Sequence, residues 1–214
     1  MKDLPRVTSV LVWLTALTAA LATGWQWYEY LTFKDELQSY DPDAVNPADV
    51  IWAVFGGVAA TTFIIWLRRV RATAEHLTKA PHRHRRGWVI AGWFVPIIAF
   101  WYPKQIVDDV IAASDPRTPP HAEELPRVRL SVVTIWWATW IACNVIEFAD
   151  PGFYADQPSA GGLLTASLAM TASTVLSIVS ALYAVRVIQL ITNLQAARPQ
   201  VAWWLATPAP ASTN

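Results

Sequence analysis

Apolar and polar residues alternate along this chain on the length scale of a lipid bilayer. Charge-free intervals cover residues 7–28, between Arg6 and Glu29, residues 50–67, between Asp49 and Arg68, and residues 130–146, between Arg129 and Glu147. A fourth lies between Asp156 and Arg186, with its apolar body from Leu163 onward. A helix needs about 20 mostly apolar residues to cross a hydrocarbon core of about 30 Å. The pattern predicts an all-α integral membrane protein with four transmembrane helices, at about 7–30, 50–70, 130–148 and 162–190.

A fifth interval, residues 87–103, is apolar but interrupted. Pro96 removes a helical hydrogen bond and clashes with the preceding turn, and Gly92 weakens the helix before it. Seventeen helical residues reach only about 26 Å. The distribution of Lys and Arg argues in the same direction. If this interval does not cross, 15 of the 16 Lys and Arg fall on the cytoplasmic side and only Lys34 lies outside. If it crosses, Lys104, Arg117, Arg127, Arg129, Arg186 and Arg198 move out as well, leaving 9 inside and 7 outside. The expectation is a proline-broken re-entrant or interfacial element over 88–114 on the cytoplasmic side, with both termini cytoplasmic. Residues 104–114 read as a short amphipathic helix, with Ile106, Val107, Val110 and Ile111 on one side and Asp108 and Asp109 on the other.

Local echoes suggest two similar hairpins. LPRV occurs at Leu4 and again at Leu125, each time before a span. Gln26-x-x-Glu29 is matched by Asn144-x-x-Glu147, and Arg69-Val70 with Leu77 by Arg186-Val187 with Leu194. The chain is therefore read as one membrane domain, residues 1–200, built from an internal repeat. Residues 201–214 form a tail whose end is expected to be disordered. Trp25, Trp27 and Tyr28 follow the first apolar run as an aromatic belt rather than the polar region after a signal peptide, so that run reads as an uncleaved anchor.

Composition agrees with this reading and narrows the chemistry. Of 214 residues, 54% are hydrophobic and 15% charged, against about 25% charged in soluble domains. Cys143 is the only cysteine, so no internal disulfide or multi-cysteine metal site can form. His76, His82, His84 and His121 lie outside the spans, which removes axial haem ligands from the helices and reads as a solvated basic segment. No H-E-x-x-H or G-x-S-x-G motif is present. No catalytic residue, metal site or cofactor is expected. Two polar groupings remain. Gln26, Glu29, Asn144 and Glu147 lie at i, i+3 spacing near the outer ends of two spans, where they could bind a cation or proton. Arg68, Arg69, Arg71, Arg83, Arg85 and Arg86 form a basic segment suited to anionic headgroups.

Trp66-Leu67-Arg68-Arg69, the run Trp93-Phe94-Val95-Pro96-Ile97, and then Pro103, Gln105, Val107 and Ser114 carry a resemblance. They resemble an uncharacterised, largely actinobacterial membrane family catalogued as domain of unknown function 4328. Ala99 stands where that family often has Asn, and Ile111 where it often has Trp. The resemblance implies an integral membrane protein and no activity. Trp93, Pro96, Trp101 and Pro103 join the arginines as expected lipid or partner contacts. The functional expectation is a non-catalytic accessory or scaffold of the bacterial inner (plasma) membrane. It would dock a partner protein, a second copy or anionic lipid, and not nucleic acid. The alternative is a small transporter or ion-binding protein using Glu29 and Glu147.

Overall fold

In the computed structural model, residues 3–39, 41, 46–149 and 159–206 are described. Among them every regular element is helical. The α-helices are α1 Leu4–Phe33, α2 Pro47–Leu77, α3 Trp88–Ala91, α4 Tyr102–Ser114, α5 Ser131–Phe148 and α6 Ala160–Ala197. Four of them, α1, α2, α5 and α6, are long and apolar enough to cross a membrane, which marks a membrane protein. At about 1.5 Å per residue they range from about 27 Å for α5 to about 57 Å for α6.

Local sequence sets the helix ends. Asn46 Oδ1 accepts the Ala48 amide at 2.8 Å, and Pro47, whose φ is already helical, opens α2. Ser159 Oγ accepts the Gly162 amide at 3.0 Å and caps α6. α4 stops where Asp115, preceding Pro116, turns extended, and α6 stops just before Arg198-Pro199 for the same reason. All four long helices overrun their charge-free intervals, because glutamate, arginine, glutamine and alanine propagate a helix about as well as leucine does.

The described residues form two compact units. The first comprises residues 1–5, 62–134 and 186–214. Its core is made of large side chains: Trp66, Leu67, Leu77, Val89, Ile106, Val107, Val110, Val133, Val187, Ile188 and Ile191. The second comprises residues 6–61 and 135–185. Apart from Trp136, Trp137 and Leu163, its interior is dominated by small residues, among them Ala16, Ala19, Ala22, Thr23, Ala59, Ala166, Ser167, Ser173, Ala181 and Ala184. Its large aliphatics point outward: Val10, Leu17, Leu21, Val54, Val58, Leu168, Val175 and Ile178 are all exposed. Small residues inside and large apolar residues outside is the distribution of helices packed in lipid, where close backbone approach drives association.

The proline-interrupted stretch belongs to the first unit. It is a single turn, α3, followed by a 3₁₀ turn at Ile98–Phe100 and then α4. A Cβ on Gly92 would lie 2.6 Å from the Trp88 carbonyl oxygen and 3.3 Å from Tyr102 Cβ, so this close turn requires glycine. One expectation is corrected here. α4 is not amphipathic toward solvent: Asp108 and Asp109 are as buried as Ile106, Val107, Val110 and Ile111. Both carboxylates meet basic partners, Lys104 and Arg83, which offset part of the cost of burial. Of the tail, Trp203–Leu205 forms a 3₁₀ turn. The disorder expected further on falls at 207–214, outside the described residues, as does Asp156.

Candidate functional site

The first unit holds a charged groove along one side of α4. Lys104 Nζ donates to Asp108 Oδ2 at 2.8 Å, one turn along the helix. Asp109 receives Arg83 twice: Oδ2 accepts its backbone amide at 2.9 Å and Oδ1 its Nε at 2.7 Å. Arg83 Nη2 also donates to the Gln105 carbonyl at 3.3 Å. His84 continues the strap, bonding Gln105 Oε1 at 2.7 Å and stacking on Tyr102 with ring centres 3.9 Å apart. On the other side, Arg71 donates to Glu75 at 2.9 Å and to the His84 carbonyl at 2.9 Å. Glu75 also accepts Arg86 Nε at 2.6 Å. Residues 83–86 are thus tied to both α2 and α4. Of the histidines expected to be solvated, His82 and His84 are packed instead, because the strap folds them inward, whereas His76 is exposed.

Two groups respond to that packing. Burial pushes the His82 pKa down to about 4, helped by the Arg71 charge and opposed by Asp109 and Glu75. Neither of its buried ring nitrogens has a hydrogen-bond partner among the described residues. Burial raises the Asp108 carboxyl more than Lys104 and Arg83 lower it. Its Oδ1 is buried without a partner.

The groove has a volume of about 630 Å³. Its basic wall is Arg83, Lys104, Arg127 and Arg129, and its acidic groups are Asp108, Asp109 and Glu124. Trp101, Leu125 and Pro126 supply apolar surface. At the far end of α4, Arg198 is 7% exposed. It donates to the carbonyls of Leu77, Ala113 and Asp115 at 2.7, 2.8 and 2.9 Å. It therefore joins the ends of three helices.

The arginines expected to face lipid divide. Arg68, Arg69 and Arg85 are exposed. Arg83 and Arg86 are on the surface but ion-paired. Arg71 is 4% exposed and Pro103 is buried, so neither is available to a partner. Trp93 packs edge-on against Phe63, whereas Pro96 and Trp101 are exposed. Sequence reasoning missed Asp108, Asp109, Glu124, Arg127, Arg129 and Arg198. An adjacent acidic pair inside an apolar helix was the available signal for the first two.

The polar residues of the second unit are not brought together by hydrogen bonds. Glu29 accepts Trp25 Nε1 on its own helix at 2.6 Å. Glu147 accepts Ser173 Oγ at 2.7 Å and the Cys143 thiol at 3.3 Å. Asn144 donates to the Trp140 carbonyl at 2.7 Å, and Gln26 accepts Ser167 Oγ through its backbone oxygen at 3.4 Å. The Glu29 and Asn144 bonds each stay within one helix, whereas Ser173 to Glu147 and Ser167 to Gln26 are helix-packing bonds, like the Thr23–Thr174 pair at 2.6 Å and Trp27 Nε1 to Thr171 at 2.9 Å. No set of three or more metal-ligating side chains occurs among the described residues.

No curated protein and no solved structure matches the chain. The model of the family described as Domain of unknown function (DUF4328) matches residues 41–193, and with most of its 214 residues covered the chain belongs to that family.

Proposed function

We propose that this protein is a non-catalytic, multi-pass accessory protein of the plasma membrane. Its α1–α2 and α5–α6 pairs cross as two related hairpins with both ends cytoplasmic. The 88–101 segment inserts into the cytoplasmic leaflet, and the basic face beside it docks anionic lipid or a partner protein. The observation that carries this reading is an apolar ridge on the broken segment. Phe94 is 73% exposed, Ile97 70%, Phe100 48% and Trp101 46%. Left in water, such surface costs about 25 cal/mol per Å², and a contiguous exposed patch of large apolar residues marks an interaction or membrane surface. Broken backbone is tolerated at membrane depth only against protein or a wet cavity. α4, tightly packed beneath the turn, offers the protein side. Arg68, Arg69 and Arg85 supply exposed cationic charge worth about 1 kcal/mol each near an anionic surface.

Labelling with a membrane-impermeant maleimide tests the topology. In a Cys143→Ser background, Arg85→Cys and Arg117→Cys should both react from the cytoplasmic side, and Ile97→Cys should resist. Arg117 is suitable because its side chain is 92% exposed. Reaction of Arg117→Cys only from the opposite side would mean that the segment crosses, and the proposal fails.

A further inference from the structure

We propose that the groove beside α4 binds the headgroup of a single anionic phospholipid, with Arg127 and Arg129 on the phosphate and Glu124 accepting a headgroup hydroxyl. The level of the groove rests on the spanning topology proposed above; its chemistry does not.

The first argument is charge. The groove is lined by four basic and three acidic side chains. Two of the acids are already committed, Asp108 to Lys104 and Asp109 to Arg83. Arg127, Arg129 and Glu124 remain, all exposed and without an ion pair among the described residues. Two free guanidiniums against one free carboxylate favour a ligand with net negative charge. The planar guanidinium fork is matched to phosphate oxygens. A free carboxylate beside them selects a headgroup that offers a hydrogen-bond donor, such as a glycerol or inositol hydroxyl, over one capped by methyl groups.

The second argument is depth. Arg129 lies two residues before Ser131, the first residue of α5. α5 has 18 residues and spans only about 27 Å. A helix that short crosses a core of about 30 Å only if it lies close to the bilayer normal, with the residues that flank it reaching the headgroups. On that topology the groove wall formed by residues 124–129, just before α5, lies at the headgroup level.

The third argument is shape. About 630 Å³ is far more than a bare phosphate fills and lies within the range of small-molecule sites. Leu125 and Pro126 provide apolar contact for the glycerol region. Trp101 belongs both to the groove and to the exposed ridge. A lipid whose headgroup occupies the groove has an apolar exit for its acyl chains along that side chain.

The test uses the full chain, purified in detergent and depleted of lipid, with binding followed by native mass spectrometry. One phosphatidylglycerol should bind per chain in preference to phosphatidylcholine. The Arg127→Ala/Arg129→Ala variant should lose about thirtyfold in affinity, from two headgroup-level charges. Both residues are exposed, so the fold should survive. The Lys/Lys version should recover part of the loss. Arg68→Ala/Arg69→Ala, outside the groove, should change binding at this single site little. Equal binding by the groove variant overturns the proposal, as does a loss confined to Arg68→Ala/Arg69→Ala. Competition by soluble glycerophosphoglycerol as strong as by the lipid would assign the site to a free phosphodiester. Displacement by an oligoglutamate peptide would assign it to an acidic polypeptide. Either result overturns the lipid assignment. The labelling experiment on residues 85 and 117 fails or succeeds independently of these measurements.

Discussion

The two units of this chain use polar groups in opposite ways. All five ion pairs found among the described residues lie in the unit built from residues 62–134 and its partners. There, Arg71, Asp108, Asp109 and Arg198 are buried, and Arg83–Asp109 and Arg86–Glu75 tie segments distant in the chain, with large aliphatics filling the core. In the other unit the linking groups are mostly neutral: hydroxyls, indole N–H, a thiol and backbone carbonyls, with the Glu147 carboxylate, which accepts Ser173 Oγ, as the exception. Its interior is mostly Ala, Ser and Thr, and its large side chains face out. Charges can be buried where both partners and the surrounding carbonyls are folded around them. In lipid an unpaired charge has no such recourse, so neutral hydrogen bonds and small side chains take over.

The sharpest way to break this contrast is to remove the charge with the most buried bonds. Arg198→Ala strands three carbonyls at the ends of α2 and α4, and it should cost about 3–5 kcal/mol. Thermal unfolding in detergent, followed by tryptophan fluorescence, should show a larger Tm loss than for either aspartate substitution or for Thr174→Val. Next come the adjacent aspartates. Asp109→Ala leaves the Arg83 amide without its acceptor and should cost about 2 kcal/mol, less than a fully buried pair because Arg83 is half exposed. Asp108→Asn should lie within about 1 kcal/mol of wild type, because burial already disfavours its charged form. Equal losses for the two would mean that the groove wall does not depend on the Arg83 strap.

A pH titration sharpens the comparison further. His82 has its folded pKa lowered from 6.5 to about 4. As pH falls through 6.5, the unfolded chain takes up a proton that the folded chain does not. Stability should therefore decline from about pH 6.5 down to about pH 4 and level off below that. His82→Phe should remove this part of the acid sensitivity, measured as the difference in Tm between pH 7 and pH 5. The smallest effects belong to the neutral unit. Thr174→Val should cost about 0.6 kcal/mol, typical of one interhelical hydrogen bond in a membrane protein. A loss as large as that of Asp109→Ala would erase the distinction between the units.

Much of the helix inventory was legible in the sequence. The four long helices follow charge-free intervals, and the break at Gly92–Pro96 follows residues whose backbone preferences are intrinsic. Their ends were less legible, because Arg68, Arg69 and Arg71 interrupt the apolar run without interrupting the helix. The candidate site was mostly hidden. Asp108 and Asp109 read as a solvent face, since a lone helical wheel has no knowledge of Arg83, 26 residues earlier in the chain. Arg198 carried no signal at all, because its three carbonyl acceptors are backbone groups present at every residue.

What the sequence determined by itself was the set of membrane-length helices and the place where one apolar stretch must break. Those depend on runs of neighbouring side chains and on proline and glycine. Only the tertiary structure decided which charges turn inward. It buried Arg71, Asp108, Asp109 and Arg198 within the first unit and left Arg68, Arg69, Arg85, Arg127 and Arg129 on its surface. A charge is buried or free according to the partner that folding brings within about 3 Å, and that distance is not a property of any segment alone.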